Sequence, residues 1–194
     1  MSQSKNLGQI SSVDTRDQTL FTGDLKGVLR QFSVGGQNLV HNFGKINDRP
    51  IQSILCIEKF LFVGDKYGYV KQFCVDKRQI VKDYGKCNRD FVTSIVFWGL
   101  GGRRKGFIFI GDVGGRLRQF LVKVKGKRGG LWRDWGRVFQ GRPVSGLQGA
   151  KSFVFVVGEG GWMKMVDVKR GLVVRDFGKE VLGNICCITS NSDQ

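Results

Sequence analysis

The stretch Gly64-Asp65-Lys66-Tyr67-Gly68-Tyr69-Val70-Lys71-Gln72-Phe73 decides the fold, because related versions of it occur at three other places in the chain. An apolar run precedes each version. An alternation of aliphatic and basic residues ends the first three in chain order, and this alternation is weaker in the fourth. Two strands joined by a tight turn need this pattern, since glycine supplies the positive φ angles of the turn. The stretch therefore predicts a β-hairpin. The other versions are Gly23 to Phe32, Gly111 to Phe120 and Gly158 to Val166.

Two more patterns repeat in step with this hairpin. Strand-like alternating segments precede it, and they begin at Ile10, Ile51, Val92, Val144 and Ile185. An aromatic residue, a glycine and a cation follow it, at Phe43 to Lys45, Tyr84 to Lys86, Trp135 to Arg137 and Phe177 to Lys179. The period is 41 residues, except in the third unit, which has eleven more. Four strands per period, which we name a to d, predict propeller blades.

We therefore predict an all-β chain, a β-propeller of four-stranded antiparallel blades. The predicted division is a flexible N-terminal segment (1–9), blade 1 (10–50), blade 2 (51–91), blade 3 with basic insertions (92–143), blade 4 (144–184) and the first strand of a fifth blade (185–194). Four blades and one extra strand leave three alternatives. The array is an incomplete or open ring within a larger repeat assembly, two copies close one ring as a homodimer, or the chain forms a small closed propeller. We favour the first, because the sequence stops within a blade.

The repeat resembles that of the WD40 family over almost the whole chain. The family's aliphatic strand, glycine-rich turn and closing strand align with Leu20 to Ser33 and Leu61 to Cys74 without gaps. The family's closing Trp is replaced by Phe32, Phe73, Phe120 and Val166, and its Gly-His by Gly-Lys or Gly-Arg. The resemblance implies a noncatalytic scaffold that mediates protein-protein interaction.

Each predicted hairpin turn carries one acid, and each strand d glycine is followed by one cation. The turn acids are Asp24, Asp65, Asp112 and Glu159, and the cations are Lys45, Lys86, Arg137 and Lys179. Because b–c turns and d–a loops share one face of a propeller, we predict a ring of ion pairs across the blades. Solvated turn residues are the alternative.

The insertions of the third unit are basic and contain no acid. They fall in the a–b loop, Gly99 to Lys105, and in the c–d loop, Lys123 to Gly130, and so share one face of a propeller. Their cations are Arg103, Arg104, Lys105, Lys123, Lys125, Lys127 and Arg128. In a chain of net charge +16, this patch predicts a polyanion ligand (RNA, DNA or an anionic lipid surface) or an acidic protein partner.

Two alternatives to this interpretation involve no ligand. The positive charge can serve only to keep the protein soluble. Trp98, Trp132 and Trp135 are near enough in sequence to stack on bases, but they can equally fill the blades.

Other classes of protein are disfavoured by composition. The chain has 194 residues, 41% of them hydrophobic and 25% charged, which is a globular composition. It has no apolar run of membrane-spanning length and no signal-peptide core, so we expect no transmembrane segment and a cytoplasmic or nuclear location. His41 is the only histidine, and no cysteine is near it, so we expect no enzyme activity, no cofactor and no metal. The five cysteines are expected to be reduced and buried.

Overall fold

The computed structural model describes residues 8–36, 38–100, 105–123 and 130–179. These residues form strands, turns and loops, and none of them lies in a helix that could cross a bilayer. Their strands make four separate sheets, each an antiparallel meander in chain order. The prediction of an all-β chain with four-stranded antiparallel blades is thus confirmed for this part of the chain. The predicted strand at 185–194, and residues 1–7 of the N-terminal segment, lie outside the described residues.

The four sheets are numbered as blades 1 to 4. Blade 1 contains β1 (Ile10–Arg16), β2 (Thr19–Asp24), β3 (Val28–Ser33) and β4 (Leu39–Lys45). Blade 2 contains β5 (Ile51–Ile57), β6 (Phe60–Asp65), β7 (Tyr69–Cys74) and β8 (Gln79–Lys86). Blade 3 contains β9 (Val92–Gly99), β10 (Lys105–Asp112), β11 (Arg116–Lys123) and β12 (Leu131–Arg137). Blade 4 contains β13 (Val144–Ala150), β14 (Phe153–Gly158), β15 (Trp162–Asp167) and β16 (Leu172–Lys179).

The turn between the second and third strands of a blade depends on a left-handed glycine. In blade 2 this is Gly68, whose φ is 86°. A Cβ at Gly68 would also collide with the carbonyl oxygen of Asn88 in the following loop. The position requires glycine for both reasons, because a side chain there is strained and has no space.

The apolar core lies between the blades and follows the two-residue period of the strands. In β6, Leu61 and Val63 pack in one cluster with residues of blade 1, including Phe21. The alternate residues Phe60 and Phe62 pack in another cluster with residues of blade 3. Each blade boundary therefore has its own cluster, and a third cluster joins blades 3 and 4.

Glycine in the second strand allows neighbouring blades to approach closely. A Cβ on Gly64 would lie only 2.5 Å from Cγ1 of Val92, the first residue of the next blade. The same contact recurs at each boundary: Gly23 with Ile51, Gly64 with Val92, and Gly111 with Val144. A side-chain bond adds to the first boundary, where the amide of Ile54 donates to Ser12 Oγ at 2.9 Å.

Consecutive blades pack through their first strands, β1 against β5, β5 against β9 and β9 against β13. No closed ring is detected among the described residues, so the architecture is propeller-like. The insertions of the third unit lengthen its central hairpin: β10 and β11 have 8 residues each, whereas β2 and β3 have 6. Lys105 and Lys123, expected in loops, therefore belong to strands.

Candidate functional site

The predicted basic patch of blade 3 is described only at its base. Lys105 and Lys123 face each other as a backbone pair at the end of the β10–β11 hairpin. Both insertions thus start side by side at the same end of blade 3. The remaining cations of the predicted patch lie outside the described residues: Arg103, Arg104, Lys125, Lys127 and Arg128.

The three tryptophans near this patch differ in their exposure. Trp98 is 7% exposed and stacks on Phe107 with ring centroids 6.1 Å apart, so it belongs to the core between blades 3 and 4. Trp135 packs against the same core, and its indole N–H donates to Gln119 Oε1 at 3.2 Å. Trp132 is 59% exposed on the outer strand of blade 3. Trp132 is the most exposed of the three, and its ring centroid lies 5.5 Å from that of Phe107.

Asp24 organises the first hairpin turn from within. Its side chain is fully buried, and Oδ1 accepts hydrogen bonds from the amides of Lys26 and Val28, both at 2.9 Å. Oδ2 accepts from Arg30 Nη1 at 2.7 Å. Burial alone would raise the pKa of Asp24, but the bonds from Arg30 and the two amides outweigh it and lower the pKa below its usual value.

Asp65 and Asp112 occupy the same place in blades 2 and 3 with different partners. Asp65 accepts the amides of Tyr67 at 2.8 Å and Tyr69 at 2.9 Å, and its Oδ2 accepts from Asn47 Nδ2 at 3.1 Å. Asp112 accepts the amide of Arg116, but its Oδ2 has no partner within the described ranges. Burial therefore raises the pKa of Asp112 above its usual value.

Glu159 does not hold the position predicted for it. Ile10 pairs with Asp24 and Ile51 with Asp65, whereas the equivalent Val144 pairs with Gly158. Glu159 instead follows that position and is exposed, its amide bonding the carbonyl of Pro143 at 2.9 Å. The fourth turn has three residues between its strands, as the other turns do, and Glu159 is the first of the three, one position after the place of the turn aspartates. Blade 4 thus has glycine where the other blades have an aspartate.

The observed ion pairs differ from the predicted ring. Asp24 pairs with Arg30 of its own hairpin at 2.7 Å, and Asp65 pairs with Arg49 at 3.6 Å. Lys45 pairs with Asp48 at 3.3 Å. Across the described ranges, no ion pair joins a turn acid to Lys45, Lys86, Arg137 or Lys179. The reason is that Asp24, Asp65 and Asp112 are buried and cap their own turns, whereas Glu159 and Lys45 are exposed.

Sequence reasoning missed a second repeated turn bond. The amide of each strand d glycine donates to an Asn or Asp two residues earlier, and the glycine has a positive φ. The pairs are Gly44 with Asn42 (3.0 Å), Gly85 with Asp83 (2.7 Å), Gly136 with Asp134 (2.8 Å) and Gly178 with Asp176 (2.9 Å). The signal was present as an Asn or Asp, an aromatic residue and a glycine in every unit.

No grouping of potential metal ligands occurs in the part of the chain that the structure describes. Cys56, Cys74 and Cys87 are free thiols, and the latter two are buried. Burial raises the pKa of both Cys56 and Cys87 to about 12, which keeps these thiols protonated and unreactive at neutral pH. His41 packs edge-on to Phe43, with ring centroids 4.6 Å apart.

The most distinctive surface is the uncovered side of blade 1, which we call the leading face. Ile10 is 47% and Val13 56% exposed. Their counterparts in blade 2, Ile51 and Ile54, are 0% and 6% exposed because blade 1 covers them. The same positions are buried in blades 3 and 4, at Val92, Ile95, Val144 and Leu147. Blade 1 thus presents aliphatic side chains that every other blade buries against its predecessor.

Blade 4 lacks the second-strand glycine on which blades 1 to 3 each receive the next blade. Ser12 pairs with Gly23 and Ser53 with Gly64, but the equivalent Gly146 pairs with Val157. Valine therefore stands where blades 1 to 3 have the glycine that receives the next blade. Val157 is also 0% exposed, so this position offers no free surface on which a partner could dock as Ile51 docks on Gly23.

Comparison with known proteins identifies the fold and nothing finer. No protein-family model matches the chain, and no curated protein matches it. The crystal structure of the computationally designed Ika4 protein is similar, with a TM-score of 0.67 and 16% identity over 86% of this chain and 96% of that one. The computationally designed Ika8 protein is also similar, with a TM-score of 0.63 and 13% identity over 93% of this chain and 65% of that one.

Proposed function

We propose that this chain is a noncatalytic interaction scaffold of the WD40 kind. In this proposal, the leading face of blade 1 docks against a blade of a protein partner, within a larger repeat assembly. The observation that carries it is the contrast between the exposed Ile10 and Val13 and their buried counterparts Ile51 and Ile54. Repacking such side chains against a partner removes apolar surface from water.

The chemistry of the partner surface follows from the three boundaries within the chain. Each aliphatic first strand there packs on a second strand that carries a glycine and, in blade 1, Phe21. We infer that the partner presents a blade with a glycine at this position. A second copy of this chain fits less well, because its blade 4 carries Val157 there.

Site-directed photo-cross-linking tests the proposal. A photoreactive phenylalanine analogue is placed at Val13 in the full chain, expressed in its native cell. The matched control carries the analogue at Val34, which is 55% exposed in the turn after β3, compared with 56% for Val13. We expect a discrete protein adduct from position 13 and none from position 34.

Mass spectrometry of the adduct gives the outcome. A cross-linked peptide from a strand of another protein supports the proposal. A cross-linked peptide of this same chain would show that the partner is a second copy of the chain. A light-scattering mass near twice 21.7 kDa would then accompany it. Equal adducts from both positions, or none from either, would overturn the proposal.

Polyanion binding by blade 3 is the second candidate, and the pairing of Lys105 with Lys123 favours it. This pairing starts both basic insertions at one hairpin end. Binding of a single-stranded RNA oligonucleotide that engages about six phosphates should weaken roughly 10³-fold between 50 and 200 mM salt. Loss of that salt dependence is expected when Arg103, Arg104, Lys105, Lys125, Lys127 and Arg128 are replaced by Gln. Binding that is insensitive to salt or to these replacements would exclude this function.

A further inference from the structure

A cavity of about 380 Å³ lies where the loop before blade 4 meets β15. Its volume is in the range of small-molecule sites, about 300 to 1,000 Å³. Three cations line it, Arg137, Arg142 and Lys164, together with the rings of Phe139 and Trp162, and none of its lining residues is acidic.

The equivalent loop before blade 2 has a carboxylate partner for its arginine, which the lining of this cavity lacks. There, Arg49 lies over the Tyr69 ring at 4.0 Å, and its Nη1 is 3.6 Å from the carboxylate of Asp65. Asn47 Nδ2 also donates to that carboxylate, at 3.1 Å. The cation in this loop is thus neutralised by the turn acid of the next blade.

Blade 4 keeps the arginine but lacks the acid. Arg142 precedes a proline as Arg49 does, and its guanidinium lies 5.0 Å from the Trp162 ring centroid. Glycine takes the place of the aspartate at position 158, and Phe139 takes the place of Asn47, as their shared backbone bonds to the preceding turn glycine show. The Phe139 ring packs against Gly158, 2.9 Å from where a Cβ would be.

The exchange leaves donors without acceptors. Within the described ranges, neither Arg137 nor Arg142 takes part in an ion pair, and the buried indole N–H of Trp162 has no hydrogen-bond partner. Lys164 is the one cavity cation with a carboxylate, Asp176, at 3.0 Å. Two unneutralised guanidiniums and a free N–H donor around one cavity are suited to an oxyanion, because charge-assisted bonds to arginine are the stronger kind.

We propose that this cavity binds a small phosphate ester, whose phosphate neutralises Arg142 and Arg137 in place of the absent turn acid. The site is independent of the leading face of blade 1 and of the basic insertions of blade 3. It takes the ligand beside Phe139 rather than at position 158, because the phenyl ring fills the space next to Gly158.

Titration followed by the indole N–H resonances in ¹⁵N-¹H spectra tests this site. The full chain is titrated with inorganic phosphate, adenosine monophosphate and adenosine at constant ionic strength, and Trp162→Phe assigns the Trp162 signal among the four tryptophans. We expect phosphate and the monophosphate to move that signal saturably and adenosine to leave it unchanged. A shift with adenosine alone, or none with either phosphate compound, would overturn the proposal.

Matched charge variants separate a built site from general charge. Arg142→Gln should weaken the binding of the monophosphate about tenfold or more, the effect of losing a hydrogen bond to a charged group. Arg175→Gln removes the same charge from an exposed residue of β16 outside the cavity, and it should change the affinity less than twofold. Equal weakening by both variants would show that only net charge attracts the anion. Arg137→Gln is the second cavity variant and should behave as Arg142→Gln does.

Discussion

The three turn aspartates occupy one repeat position but have different electrostatic surroundings. Asp24 has a buried guanidinium partner, whereas one oxygen of Asp112 has no partner in the described part of the chain and the residue lies near Asp90. A buried charge costs free energy unless a partner and hydrogen bonds compensate for it. The same residue type should therefore stabilise one blade and strain another.

Replacement of these two residues by asparagine should have opposite effects. Asp24→Asn leaves the buried Arg30 without its carboxylate and should lower the free energy of unfolding by about 3 kcal/mol or more. Asp112→Asn removes an uncompensated charge and keeps the oxygen that caps the turn, so it should be neutral or stabilising. Urea unfolding of both variants measures this, and equal destabilisation would contradict it.

The pH dependence of the two variants should also differ. The lowered pKa of Asp24 means that its stabilisation is present above the unfolded pKa, about 3.9, and is lost as pH falls through the lower folded value. The raised pKa of Asp112 means that the wild type loses stability relative to Asp112→Asn as pH rises through the folded value. The deficit of Asp24→Asn should thus persist from pH 7 to pH 5. The advantage of Asp112→Asn should shrink as pH falls toward 4; an advantage that does not change with pH would contradict this assignment.

At the scale of the strand, the contact between a glycine and the next blade limits what the second strand can carry. Gly64→Ala would place a methyl group 2.5 Å from Val92 Cγ1 and 2.8 Å from Val92 Cβ, the branched and buried side chain of the next blade. We expect a loss of about 1 to 3 kcal/mol in the free energy of unfolding, as overpacking produces. Gly35→Ala is the control, because its nearest neighbour would be 3.9 Å away, and it should change stability by less than about 0.5 kcal/mol. Similar losses in both variants would indicate a backbone effect instead of packing.

The strands were predictable because their period and turns are local properties of the sequence. The first strands of the four blades begin at Ile10, Ile51, Val92 and Val144, and these residues also begin the four repeats of the sequence. The displacement of Glu159 was not predictable from its resemblance to the aspartates. It depends on the register between β13 and β14, in which Gly158 and not Glu159 takes the position of Asp24 and Asp65.

The candidate sites were less accessible to sequence reasoning than the strands. The partners of the turn acids are set by side-chain direction, and the inward direction of Asp24 cannot be inferred from its spacing to Lys45. The cavity at Arg142 arises from two exchanges far apart in sequence, Phe139 for Asn47 and Gly158 for Asp65. Only the folded chain places these exchanges next to each other.

At the scale of the whole molecule, a residue's contribution depends on its blade's place in the array. Ile10 and Ile51 share one repeat position but are 47% and 0% exposed. Ile51→Ala should cost about 2 to 5 kcal/mol as a buried truncation, and Ile10→Ala less than about 1 kcal/mol. Urea unfolding at low protein concentration measures both. An equal cost at Ile10 would mean that the leading face is already covered in solution.

The stepwise packing of blade on blade has a consequence for how the chain opens. Among the described residues, blades 2 and 3 pack against a blade on each side, whereas blade 1 packs against blade 2 alone. In arrays whose units contact only their neighbours, local opening starts where neighbours are missing. Backbone amides of β1 should therefore exchange with deuterium well before those of β6 and β10. Binding of a partner to the leading face should slow the exchange of the β1 amides, beginning at Ile10.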